Sequence, residues 1–131
     1  MKILKEIGMK ADIFRTQTES LGKIAAEAFS DKHKAQLKGL ENIANSALKV
    51  SDILNYIKRQ TGKSEANKKW KQDKFGEKLL KEIEENLKKY RDHISGNLKI
   101  TSDEQKLDVY LRLIREFVRQ VVIFYEYEIS K

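Results

Sequence analysis

Leu107-Asp108-Val109-Tyr110-Leu111-Arg112-Leu113-Ile114-Arg115-Glu116-Phe117-Val118-Arg119-Gln120-Val121-Val122-Ile123-Phe124-Tyr125 decides how this chain folds. Leu107, Tyr110, Leu111, Ile114, Phe117, Val118, Val121, Val122, Phe124 and Tyr125 recur at helical spacing, and together they cover more than one stripe of a helix. A helix that is apolar over so much of its circumference needs two or more neighbours, or a partner subunit, to cover it. Just upstream, Thr101-Ser102-Asp103-Glu104 reads as a capping box, with the threonine oxygen accepting from the third backbone N–H and the glutamate reaching back. The helix is therefore expected to start there and to be long and largely buried.

Working back toward the N-terminus, helical spacing continues and period-two alternation is nowhere sustained. Ile3, Leu4, Ile7, Ala11, Phe14, Leu21, Ile24, Ala25, Ala28 and Phe29 form a first helical segment, with the polar Thr16–Ser20 stretch as the place where it bends or splits. Ser30-Asp31 reads as the N-cap of a second helix. In it Ile43, Val50 and Ile57 lie seven apart, as do Leu40, Ala47 and Leu54, and Gly62 is the expected stop. A third helix begins between Ser64 and Lys69, carries Leu79, Leu80, Ile83, Leu87, Tyr90 and Ile94, and closes at Gly96. The absence of proline and the abundance of Lys, Glu, Leu, Ile and Ala suit this pattern. The expectation is all-α: one domain over residues 1–131, a bundle of four to five helices ending in a long buried one.

Composition excludes much of chemistry. With no cysteine there is no disulfide, thiolate metal site or cysteine nucleophile. His33 and His93 stand sixty residues apart, and neither Glu-x-x-His repeats nor His-Glu-x-x-His occur. Gly62-Lys63-Ser64 echoes the end of a P-loop, but Ile57 stands where the first glycine would be and no strand precedes it. Glu82, Glu84 and Glu85 with their neighbouring lysines read as helix-surface ion pairs, and His93 as a basic group near a helix C-terminus. No enzyme and no cofactor are expected. Val121 to Tyr125 is too short an apolar run to span a bilayer, so the setting expected is soluble, reducing and cytoplasmic, with no membrane partner.

What survives is charge. The chain carries 27 Lys and Arg against 20 Asp and Glu, a net +7. Lys58, Arg59, Lys63, Lys68, Lys69, Lys71 and Lys74, against Glu65 and Asp73, put +5 of it into seventeen residues. Trp70 lies among them. Such a block suits polyanion binding, with lysines on phosphates and Trp70 or Tyr56 free to stack a base. It equally suits a solvated turn whose tryptophan packs back onto the bundle. Arg112, Arg115 and Arg119, at i, i+3 and i+7, share one face of the last helix and form a second basic surface, unless Asp108 and Glu116 neutralise them.

Three stretches resemble the small helical subunit of type III CRISPR effector complexes. They are Gln36-Leu37-Lys38-Gly39-Leu40, Leu54-Asn55-Tyr56-Ile57-Lys58-Arg59 and the closing Phe117–Tyr127, together spanning about residues 30–127. The third departs from that family in having Phe124-Tyr125-Glu126-Tyr127 where a small residue, a tyrosine and basic residues are usual. The resemblance implies a non-catalytic subunit of a ribonucleoprotein, contacting a guide–target duplex or a single strand of RNA alongside other subunits. Residue by residue it reaches Lys38, Lys58, Arg59 and Arg119. The rival expectation is a protein-interaction or mobile-element regulatory module, gripping a partner or a second copy through Phe117, Phe124 or Tyr125.

Overall fold

The computed structural model describes residues 2–63 and 69–131 and is all-α there. Its elements are α1 (Lys2–Ile13), α2 (Arg15–Phe29), α3 (Lys34–Ser46), α4 (Val50–Gly62), a 3₁₀ turn (Gln72–Lys74), α5 (Phe75–Lys81), a π turn (Glu82–Leu87), α6 (Lys88–Asn97) and α7 (Asp103–Ile129). α5, the π turn and α6 run end to end with right-handed dihedrals at both joints. The described residues thus form six rods, more than the four or five expected.

α7 is the post around which the others stand. α2 runs parallel to it, pairing Thr18 with Gln120 and Gly22 with Phe124. At that crossing a Cβ on Gly22 would overlap Phe124 and stand 3.0 Å from the Tyr125 nitrogen, so the two backbones touch only because residue 22 has no side chain. α3 runs antiparallel to α7, with Ala44 beside Arg115 and Leu37 facing Val122. α5 and α6 run antiparallel to α1 and α2, matching Phe75 to Phe29, Tyr90 to Phe14 and His93 to Lys10.

Of the two breaks behind the additional rods, one falls close to the expected split of the first segment and the other is not shown by periodicity. The first segment breaks at Phe14 (φ −87°, ψ 9°), ahead of the polar stretch expected to bend it. Thr16–Ser20 stays helical because Thr18 turns inward, fully buried, with its hydroxyl 2.7 Å from Gln120 Oε1. The break sets the Phe14 ring edge-on to Phe117, 5.1 Å away. The heptad seam is likewise not one helix. Ala47 (ψ 139°) and Lys49 (ψ 140°) are extended, and the chain reverses so that Tyr56 on α4 packs over Gly39 on α3. Asn45 and Ser46 are weak helix formers, and Ser46 Oγ back-bonds to the Asn42 carbonyl at 2.8 Å.

Other termini shift by less. α7 is capped by Ser102, not Thr101: its Oγ accepts from Gln105 N–H at 3.2 Å. α3 starts at Lys34 behind His33, three residues past the expected cap, and α5 starts at Phe75 after left-handed Asp73 (φ 49°) and Lys74 (φ 58°). α6 ends one residue beyond Gly96, and Lys99 (φ 56°) makes the turn.

Four polar side chains of α7 reach carbonyls where its neighbours are broken or widened. Tyr110 Oη donates to Ile83 O in the π turn at 2.8 Å. Arg115 donates to Ala44 O at 3.1 Å and Ala47 O at 3.3 Å, at the end of α3. Gln120 Nε2 donates to Ala11 O at 3.2 Å, beside the Phe14 break, and Tyr125 Oη donates to Ser30 O at the end of α2. These donors stand five apart, so each step turns about 140° around the helix and faces a different neighbour.

Gln120→Leu leaves the buried Ala11 carbonyl without its donor and should cost about 1–3 kcal/mol in urea unfolding. Burial raises the Tyr110 and Tyr125 phenols above the ordinary 10.0, so the folded chain holds these protons more tightly than the unfolded chain. Their contribution is complete below that value and is lost as pH rises from it through the raised values of the folded state. The urea midpoint should therefore fall above about pH 10, and fall less in Tyr110→Phe.

Candidate nucleic-acid interface

The basic block lies where α4 ends and α5 begins. Lys58 and Arg59 are exposed on the last turns of α4, Lys63 follows it, Lys71 and Lys74 are exposed before α5, and Lys69 is half-buried. Lys68 lies outside the described residues. Among those residues none of the six has a carboxylate within 4 Å.

Beneath the charges is an aromatic nucleus. Trp70 is fully buried against Phe29 (ring centroids 5.5 Å), Phe75 (5.4 Å) and Tyr56 (6.2 Å), and its Nε1 donates to Gln36 Oε1 at 3.0 Å. Of the two readings open for Trp70, a base-stacking ring or a side chain packed back onto the bundle, the structure takes the second, so Trp70 is not placed to stack a base. An indole surrounded by three rings, with its N–H satisfied, is an anchor of the core. Tyr56 is half-buried, and burial pushes its phenol up. α4 and α5 close over this nucleus because Gly76 leaves room for Thr61, whose hydroxyl bonds back to Ile57 O at 2.7 Å.

The Gln36 bond also joins residues that the sequence keeps apart. It ties the start of α3 to the junction, and Phe29, the last residue of α2, touches both Trp70 and Phe75. Exposed Lys32, His33 and Lys34, which connect these helices, therefore flank the block. Nothing in the spacing links residues 32–34 to residues 69–71; only the Trp70 contact does.

The remaining candidates separate from this cluster. Lys38 is on the outer face of α3, 3.3 Å from Glu41, at the rim of an open groove of about 510 Å³ floored by Leu37, Val122, Tyr125 and Ile129. Arg112 pairs with Asp108 at 2.9 Å and Arg119 with Glu116 at 3.0 Å. Arg115 is spent on the α3 carbonyls, which corrects its reading as a phosphate contact. The expected second basic surface is thus a neutralised face around a structural arginine. Phe117 and Tyr125 are core residues, and Phe124 is half-buried under the Arg15 guanidinium at 4.9 Å, so two of the three aromatic residues of the rival reading are inside the bundle. His93 meets the nearly buried Lys10 ammonium at 2.5 Å through Nδ1. Among the described residues no cluster of three or more His, Asp or Glu could hold a metal, and no helix is long and apolar enough to cross a membrane.

No protein-family model, curated protein or solved structure matches this chain.

Trp70→Ala should destabilise the fold by about 3–5 kcal/mol in denaturant unfolding, as for other large aromatic truncations, whereas Lys71→Ala at the same surface should be nearly neutral.

Proposed function

We propose that this protein is a non-catalytic RNA-binding subunit that holds phosphates at one end of its helical bundle. The observation that carries the reading is the separation of its basic groups. Arg115 is committed to α3 carbonyls and Arg112 and Arg119 are paired with Asp108 and Glu116 on the surface, while Lys58, Arg59, Lys63, Lys71 and Lys74 are exposed around the packed Trp70 nucleus. A rigid platform lowers the ordering cost of holding several lysines near a polyanion. Lys32 and Lys34 add to the same field.

The likeness to the small subunit of type III CRISPR effector complexes supports a ribonucleoprotein setting with other subunits, and an antiviral-defence role with it. Of the four residues it reaches, Lys58 and Arg59 belong to the basic end, while Lys38 and Arg119 are paired with glutamates and contribute less. A protein-interaction role is the second reading. It is favoured by Ile123 (45 % exposed) and Tyr127 (60 % exposed), which follow Arg119 at four-residue spacing along the outer face of α7 and could support self-association.

If about five phosphates of single-stranded RNA are contacted, log K should fall with log salt at a slope near −3.5. Replacing Lys58, Lys71 and Lys74 by Ala should flatten it to about −1.4, with Arg112→Ala unchanged. A salt-independent affinity, or full binding after the triple replacement, contradicts the proposal.

A further inference from the structure

Resting on the protein-interaction reading above, we infer that a second copy of this chain docks on the outer face of α7, antiparallel, with the twofold axis at Ile123. Arg119, Ile123 and Tyr127 stand four apart, so about 40° separates each from the next, and Glu116 falls within the same sector of about 80°. Ile123 is 45 % exposed and Tyr127 60 %, and half-buried Phe124 continues the patch toward α2. An aliphatic side chain, an exposed tyrosine and an exposed arginine on one helix face have the composition of a protein interface.

The order of charges and rings along this face makes it complementary to itself. When two such helices meet antiparallel about Ile123, residues equally far before and after it face each other. Ile123 then packs on Ile123 of the second copy. Arg119, about 6 Å down the axis, comes over the ring of Tyr127 of the second copy, about 6 Å up its own. That ring already draws the Lys131 ammonium of its own chain to 4.9 Å and still keeps most of its surface exposed. Glu116 comes opposite Ser130 of the second copy, with the Lys131 cation next to it. The twofold axis makes each of these contacts twice. A parallel pairing would instead set Arg119 on Arg119 and Glu116 on Glu116. Net charge selects the same place. The chain carries +7, so two copies repel except where charge is balanced locally. On α7, Arg112 pairs with Asp108 at 2.9 Å and Arg119 with Glu116 at 3.0 Å, so this face approaches its copy with its charges cancelled.

The test uses the full chain without RNA. In sedimentation equilibrium it should dimerise with a Kd on the order of 10–100 μM, as suits a contact at the small end of interface sizes. Ile123→Glu and Arg119→Glu should each weaken the dimer at least about tenfold while keeping the helical circular dichroism. The chain has no cysteine, so a single introduced one reports on the axis. Under mild oxidation with diamide, Ile123→Cys should close an intermolecular disulfide, because a residue on the twofold axis meets its own copy. Ile13→Cys, on α1 and 56 % exposed, should crosslink at least about tenfold more slowly. Dimers that survive Ile123→Glu, or that crosslink equally at both positions, would overturn this register and leave the protein-interaction reading standing. A chain that stays monomeric throughout that range would overturn self-association altogether. Neither result bears on the salt slope of RNA binding, which tests the RNA-binding reading by itself.

Discussion

The structure depends on one helix satisfying the backbone of its neighbours. α7 is apolar over most of its surface, yet Tyr110, Arg115, Gln120 and Tyr125 interrupt that surface at five-residue intervals, and each donates to a main-chain carbonyl of a different element. A buried carbonyl without a partner costs as much as a lost hydrogen bond, so helices can break inside a core only where a donor meets them. The donors on α7 allow α1 and α2 to part at Phe14, α3 to end at Ser46 and the π turn to sit between α5 and α6. Without those interruptions the chain would have fewer, straighter rods.

The consequences reach the basic end through geometry. Ending α3 at Ser46 lets α4 fold back along it, which places Tyr56 over Gly39 and brings the C-terminus of α4 beside the start of α3. Tyr125 fixes the end of α2, and Phe29 there meets Trp70. Four aromatic rings converge under a shell of lysines. Core packing and electrostatic display share one place, and Trp70 belongs to the packing.

The sequence made the helical class and the long buried C-terminal helix plain, because ten apolar side chains at helical spacing around one helix admit no sheet reading and demand neighbours on several sides. It placed one break two residues late and concealed the other. A seven-residue repeat is identical for one long helix and for two shorter ones folded together, and Phe14 fits the helical stripe it interrupts. The donors were hidden as well: Arg115 lay in an apparent surface stripe with Arg112 and Arg119, and Gln120 was one polar residue in an apolar run. At the basic end, the lysines of residues 58–74 stood out by local charge alone. Lys32 and Lys34 did not, because the contact that brings them there, Trp70 to Gln36, spans 34 residues. Trp70 among lysines is compatible with stacking or burial until its neighbours are known.

The central claim is that α7 builds the bundle from inside, and that the RNA binding proposed for this protein falls to the one end where the start of α3, the end of α4 and the start of α5 meet. Amide hydrogen exchange with and without saturating RNA tests it most directly. The account predicts added protection confined to residues 32–36, 58–63 and 69–75, with α7 from Asp108 to Arg119 unchanged. Protection centred on Arg112, Arg115 and Arg119, with the Lys58–Lys74 junction unaffected, would contradict it.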